Sequence, residues 1–423
     1  MLLMPIFANK HKTQIIMKKI ILLALVANVC LWGQPAHATG KSEQSSNNEK
    51  DAQYWEQMAD GMTQALINSF WGASFEGYEN RYYFNYGSNL SNLTTEHYWP
   101  QAHAMDVVID AYMRTKDKQY KAIYPLWWQG APQFNFAGKQ NPKDPWWNVF
   151  VDDMEWMVLT QIRMFESTKD KKYIEKARQM YDDWIWPTWG PEDEKPWFGG
   201  ITWKTDVSKS KNACSNGPAA LIAARLYRFY DKAKFKDGKV KEAYLNEAVK
   251  IYTWEKNYLF DRQTGAVFDN INRRGHIQKN WIFTYNLGTF LGAAHELYQI
   301  TGDKQYLDDA VLAANYAITR MSTNNGVLPD ATSGDGGLFH GIFFRYFVKL
   351  ANEEDLPYDT RKQLHDYLTH LATVMAENGV NQKTMLYGGS WWKAPADDEP
   401  VQLTPHLSGC MLMEAMCVLK PLK

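Results

Sequence analysis

The sequence predicts an all-α fold, an (α/α)6 barrel in which six inner and six outer helices make a double toroid, and three observations predict it. A short cue recurs where one helix hands over to the next, two kinds of helix alternate, and short connections alternate with long ones. Length alone leaves more room, because 423 residues exceed the usual single core and allow two domains, an array or one closed helical assembly. The repetition selects the closed assembly.

The cue reads Thr115-Lys116-Asp117-Lys118-Gln119-Tyr120, Thr168-Lys169-Asp170-Lys171-Lys172-Tyr173 and Thr301-Gly302-Asp303-Lys304-Gln305-Tyr306, with a weaker form at Phe235-Lys236-Asp237-Gly238-Lys239. Lys or Gly ends one helix and Asp caps the next, which makes an α-hairpin repeated at spacings of roughly 50 to 70 residues. Segments before the cue, at 102–112, 150–165, 218–230, 285–298, 338–350 and 407–419, are apolar on most faces and rich in small residues. They read as helices buried on all sides. Segments after it, at 120–128, 174–184, 240–258, 307–321 and 360–377, together with 53–70 at the start, carry one apolar stripe and one charged face. Long links rich in Trp, Gly, Asn and Pro, such as 129–149, 187–213 and 263–281, lead into the inner helices. Links of that length usually serve function, and here they gather at one mouth of the toroid.

Residues 1–38 read as an export signal, with a possible true start at Met17, then Lys18 and Lys19, an apolar run over 20–29 and Ala36-His37-Ala38 before the cleavage point. Residues 39–50 have the composition of a disordered linker, and 51–423 form the catalytic domain. Export places the protein in the periplasm, at the cell surface or outside the cell. Lys and Arg number 46 against 47 Asp and Glu, which gives a net charge of −1 and no broad attraction for nucleic acid. No later segment is long and apolar enough to span a bilayer. Beyond the signal only Cys214, Cys410 and Cys417 remain, without the spacing of a disulfide framework or metal site. No metal and no cofactor is expected, and the protein is read as a monomer.

Asp152 and Asp153 open the second inner helix directly after Pro145-Trp146-Trp147-Asn148, so both carboxylates leave its first turn beside the cleft. Hydrolysis of a glycosidic bond needs such a pair, one carboxylate ionised and one protonated. The helix N-terminus favours the charge, and a like charge beside an apolar wall favours the proton. Asp at a helix start is also ordinary capping. The chain supplies its own controls, since Asp182-Asp183 and Asp308-Asp309 fall in outer helices and Asp397-Asp398 in a polar loop. Around the pair, Trp146, Trp147, Trp203, Trp281 and Tyr285 offer faces for sugar rings, and Asn212, Asn216 and Asn286 offer partners for hydroxyls. Taken singly, each aromatic is more often a packing residue. His97, His103, His340 and His406 lie near inner-helix entrances without forming a spaced metal pair, and read as satisfied buried histidines.

The chain resembles glycoside hydrolase family 76, the endo-α-1,6-mannanases, through Val151-Asp152-Asp153-Met154-Glu155-Trp156, Gly199-Gly200-Ile201-Thr202-Trp203, Lys211-Asn212-Ala213-Cys214-Ser215-Asn216-Gly217-Pro218 and Thr284-Tyr285-Asn286-Leu287-Gly288. The likeness spans nearly all of 51–423 and implies the same (α/α)6 barrel. It implies hydrolysis of α-1,6-linked mannan with retention, Asp152 as nucleophile and Asp153 as acid/base, on a mannan oligosaccharide or polysaccharide and without a metal. Leu287 and His340 depart from the residues frequent at those places, Gln and Lys. Beside this stand another (α/α)6 glycosidase or transglycosylase using the same pair, and an exported glycan-binding protein, which needs the aromatics but not the acids. Endo and exo action are left open.

Overall fold

The computed structural model describes residues 51–72, 98–135, 144–195, 198–205, 210–230 and 235–423. The export signal, the linker and His97 lie outside the described residues. Each strong cue folds in the same way. Thr115 Oγ1 donates to the Ala111 carbonyl (2.8 Å) and accepts from Asp117 N (3.1 Å), Lys116 turns left-handed (φ 58°), and Asp117 accepts from Gln119 N (2.9 Å) to cap the next helix. Thr168, Lys169 and Asp170 repeat it (φ 61° at Lys169), as do Thr301, Gly302 and Asp303 (φ 71° at Gly302). Glycine takes that conformation freely, whereas a lysine there costs about 1–2 kcal/mol.

Among the described residues the helices are α1 (Ala52–Phe70), α2 (Trp99–Thr115), α3 (Lys118–Gly130), α4 (Val151–Thr168), α5 (Lys171–Met180), α6 (Ala213–Phe229), α7 (Lys241–Tyr258), α8 (Thr284–Thr301), α9 (Lys304–Tyr316), α10 (Phe339–Ala351), α11 (Tyr358–Val374) and α12 (Leu403–Val418). The even-numbered helices form the inner ring: α2 packs on α4, α4 on α6, α6 on α8, α8 on α10, α10 on α12, and α12 returns to α2. The odd-numbered helices pack outside the inner ring, α1 chiefly against α12 and the others against a sequence neighbour. Burial separates the two sets, since every residue of α6 from Ala213 to Leu226 is buried while α5 buries only Tyr173, Ile174, Ala177 and Met180. The inner ring closes tightly where a side chain is absent. A Cβ on Gly288 would stand 2.7 Å from Phe343 Cα, and one on Gly341 would stand 2.8 Å from Ser408 Cα.

Three outer helices end in wide π turns, at Tyr181–Ile185, Ala317–Met321 and Met375–Gly379, that release the chain into the long links. Helix α6 begins five residues before Pro218, where the sequence pattern placed its start, and keeps that proline inside. The strands among the described residues are two short ones, β1 (Lys211–Asn212) and β2 (Asn270–Ile271), paired antiparallel with Asn212 opposite Asn270. They tie two long links together at the mouth. No helix among the described residues is long and apolar enough to cross a membrane.

Candidate active site

A cavity of about 820 Å³ opens where the inner helices begin, and Asp152 and Asp153 line it. Helix α4 starts at Phe150 without a side-chain cap, so its first turn is free to carry other groups. Its entry is pinned by the link before α6. Val151 N donates to the Trp203 carbonyl (2.9 Å), and Thr205 N donates to the Val149 carbonyl (2.9 Å).

The two carboxyls sit in different surroundings. Asp152 Oδ1 accepts from Asp153 N (3.1 Å), Oδ2 accepts from Cys214 Sγ (3.2 Å), and the Trp203 indole also donates to it. Asp153 has no hydrogen-bond donor among the described residues. Burial pushes Asp152 up to about 6, and hydrogen bonds from the Cys214 thiol, the Asp153 backbone, the Trp203 indole and its own backbone limit the rise because each favours the ionised form. Burial raises Asp153 well above the usual carboxylate range, and the charges of Asp152 and Asp335 raise it further. The arrangement favours the charged form at Asp152 over that at Asp153.

Of the residues singled out in the sequence, Trp203, Asn212, Trp281 and Tyr285 line the cavity beside the pair. The Trp203 ring packs on Phe150 (5.2 Å), Asn212 Oδ1 accepts from Ser210 Oγ (2.7 Å), and Tyr285 stacks on Phe339 (4.0 Å, 18°). Trp281 is 54% exposed, an open ring face at the rim. Trp146, Trp147, Asn216 and Asn286 are not in the lining. Trp146 is buried against Trp127 and Trp128, and Trp147 packs on the core while its carbonyl accepts from Asn135 (2.6 Å). Asn216 clamps Ile201 through its backbone N and O (2.9 and 3.1 Å), and Asn286 donates to Asp269 Oδ1 (3.1 Å). These four shape the site from behind.

The family description "Glycosyl hydrolase family 76" matches residues 42–422. The chain belongs to glycosyl hydrolase family 76. The GH76A α-1,6-mannanase of Salegentibacter sp. HEL1_6 is 36% identical, with 86% of this chain and 100% of that chain covered and a TM-score of 0.75. An inactive variant of that mannanase, with two consecutive aspartates replaced by alanine, was solved with α-1,6-mannotetraose (35% identity, 86% and 99% covered, TM-score 0.75). The mannan endo-1,6-α-mannosidase DCW1 of Candida glabrata is 27% identical over 201 residues, 44% of this chain and 42% of that protein. The match thus spans less than half the length of this fungal relative. Membership of family 76 carries the double-toroid fold found here.

The sequence reading missed several cavity residues. Asp269 lies in the middle of a link, beside β2, and is held by Asn270 Nδ2 (2.7 Å) and Asn286, while Asp335 accepts from the Trp99 indole (3.0 Å) across the mouth. Tyr98, Trp99, Phe150, Trp156, Phe283 and Phe339 complete the aromatic wall. Their position within a few residues of inner-helix starts was the available signal. The histidines divide: His340 bonds Thr284 and the Pro329 carbonyl (both 2.9 Å), and His406 bonds Tyr387 N and the Met62 carbonyl (3.2 and 3.1 Å). Among the described residues His103 has no hydrogen-bond partner for either nitrogen, and burial drives it down to about 3, so it packs as a neutral ring between Trp99 and Trp156.

Proposed function

We propose that the protein hydrolyses α-1,6-mannosidic linkages of α-mannan by double displacement, with Asp152 as nucleophile and Asp153 as acid/base. One observation carries the reading: two adjacent carboxyls face one aromatic-walled cavity, and every hydrogen-bond donor goes to the first. In the first step Asp153 gives its proton to the departing oxygen while Asp152 attacks the anomeric carbon. Asp153, now ionised, then takes a proton from the water that releases the sugar. The rings of Trp203, Trp281 and Tyr285 supply stacking faces, and Asn212 and Asp269 supply hydroxyl partners. The related mannanase whose consecutive aspartates were replaced supports both the pair and the linkage. The signal-like composition of residues 1–38 supports export, and the enzyme is read as a monomer whose partner is mannan.

The purified protein, incubated with linear and branched α-1,6-mannans, should release oligosaccharides whose sizes separate internal from terminal cleavage. An early NMR time-course should show the α-anomer first. The β-anomer first would mean that a more distant carboxylate activates water. A glycan-binding protein without turnover would bind mannan in both the native form and Asp152→Asn and release nothing.

A further inference from the structure

Cys214 sits in the first turn of α6 and its thiol faces the start of α4. Sγ lies 3.2 Å from Asp152 Oδ2, and the residue also lines the cavity. We propose that Cys214 is a positioning residue, whose S–H donates to Asp152 Oδ2, fixes the rotamer of that carboxylate and holds it in the ionised form. The inference rests on the assignment of Asp152 as nucleophile.

A thiol can fill this place only if it keeps its proton. Burial pushes the Cys214 thiol well up, and the charges of Asp152 and Asp269 push it further, so it stays a donor wherever Asp152 is ionised. A thiol is a weak donor with a long reach, and it occupies the side of Asp152 away from Asp153 N. It therefore supports the charge as a weak donor beside the stronger ones from Asp153 N and the Trp203 indole. Donation costs no conformational freedom, because Cys214 is 3% exposed and held in a fully buried turn.

Asp152 has many titrating neighbours, and none of the others donates a hydrogen bond from a side chain that titrates. Asp153 and Glu155 share its helix. Tyr285 of α8 and Asp269 of the link before it stand against the same thiol. Asp335, on the link into α10, acts on Asp153, and Glu255 of α7 acts on Glu155. Lys204 lies over the Phe150 and Trp203 rings (4.6 and 4.8 Å). A substitution at Cys214 leaves these groups in place and removes one other contact, the hydrogen bond between the thiol and the Tyr285 hydroxyl.

The test titrates Asp152 directly, by ¹³C NMR on protein labelled at aspartate carboxyls, with its signal assigned by its loss in Asp152→Asn. Cys214→Ala, and Cys214→Val as a volume-filling alternative, should move the Asp152 titration up by about half a pH unit or more. Cys214→Ser, which keeps a donor, should fall nearer the wild type. The acid limb of kcat/KM on α-1,6-mannan should move with it, lowering turnover about threefold at a pH one unit below the wild-type limb. Coinciding Asp152 titrations in wild type, Ala and Val variants would overturn the inference, as would a shift downward. If the titration moves as expected but the wild type releases nothing from α-1,6-mannan, the thiol contact stands and the proposed activity falls.

Discussion

Both ends of the barrel bury acidic groups, and they treat them in opposite ways. At the end where the inner helices finish, a second cavity of about 540 Å³ is lined by Asp110, Arg114, Arg163, Arg225, Arg345 and Glu414 among others. Here the acids have cations. Arg163 reaches Asp106 (2.8 Å) and Asp110, Arg345 reaches Asp110 (2.8 Å), Arg114 reaches Glu414 (2.9 Å), and Arg228 reaches Glu296 (2.6 Å). Burial pushes Asp106 and Glu296 up, but the neighbouring arginines outweigh it and hold both below the usual range, whereas at Glu414 burial outweighs Arg114 and the group stays raised. At the mouth, Asp152, Asp153, Glu155 and Glu255 have no ion-pair partner among the described residues, and burial raises all four. Burial is common to both ends and the cation is not. Paired buried charge fastens helices to each other, whereas unpaired buried carboxyls near a cavity keep protons ready for transfer.

The largest effect should come from neutralising the mouth. Asp152→Asn and Asp153→Asn should each lower kcat on α-1,6-mannan by about 10²–10⁴-fold or more, with the melting temperature at or above wild type. No ion pair is broken by either change, so stability has little to lose. Steady-state kinetics with calorimetry on the same samples checks both halves. Marked destabilisation of these variants would erase the distinction between the two ends.

Next in size is the opposite lesion at the far end. Arg163→Met leaves Asp106 and Asp110 to Arg345 alone inside the barrel, and should cost stability by up to about 3–5 kcal/mol, the cost of breaking a buried pair. Turnover per folded molecule should be unchanged, because Arg163 is remote from the cavity at the mouth. Denaturant unfolding followed by active-site-normalised kinetics reads this. Loss of kcat in fully folded Arg163→Met would show that the two ends are coupled.

Acidity separates the ends more finely. A carboxyl raised on folding contributes stability that is present below its unfolded value and lost as pH climbs to its folded value, for Asp152 between about 4 and 6. Asp106 and Glu296, held low, contribute stability above their unfolded values that is lost as pH falls through the folded ones. Glu155, with neither carboxyl oxygen hydrogen-bonded, offers the cleanest probe. Glu155→Gln should stabilise by about 1–3 kcal/mol at pH 8 and by much less at pH 4, below the ordinary value of 4.5 for the group. Melting curves at the two pH values decide it, and an equal effect at both would mean that Glu155 is not protonated by its surroundings.

The Thr-x-Asp cue was readable because it is local, each of its hydrogen bonds closing within a few residues. The inner helices were readable because a side chain buried all round leaves no polar stripe. Asp152 and Asp153 could be placed from the same pattern, since an inner-helix start marks the mouth. Direction within a link could not be read. Trp146 and Trp203 both lie in aromatic links before an inner helix, yet one turns to Trp127 and Trp128 while the other faces the cavity. Asp269 and Asp335 carry no periodic signal and acquire meaning only from Asn286 and Trp99, 17 and 236 residues away in sequence. The far-end ion pairs likewise join helices 53 to 300 residues apart.

The smallest expected effect is also the sharpest control on position. Asp308-Asp309 repeats the acidic doublet in α9, an outer helix, where Asp309 is buried and accepts from the Tyr252 hydroxyl (2.7 Å) and Lys256. Asp308 is exposed and touches no element of the mouth. Asp308→Asn should therefore change stability by no more than about 0.5 kcal/mol and leave kcat and KM unaltered. Asp309→Asn should cost stability alone, because it strips the half-buried Lys256 of its counter-charge without approaching the cavity. The same two residues in the same order would then serve as the proposed catalytic pair, an anchor or a solvated surface according to which helix end holds them. A loss of turnover in Asp308→Asn comparable to that of Asp152→Asn would mean that acidic doublets affect this enzyme through total charge, and the place of α4 in the inner ring would no longer explain the site.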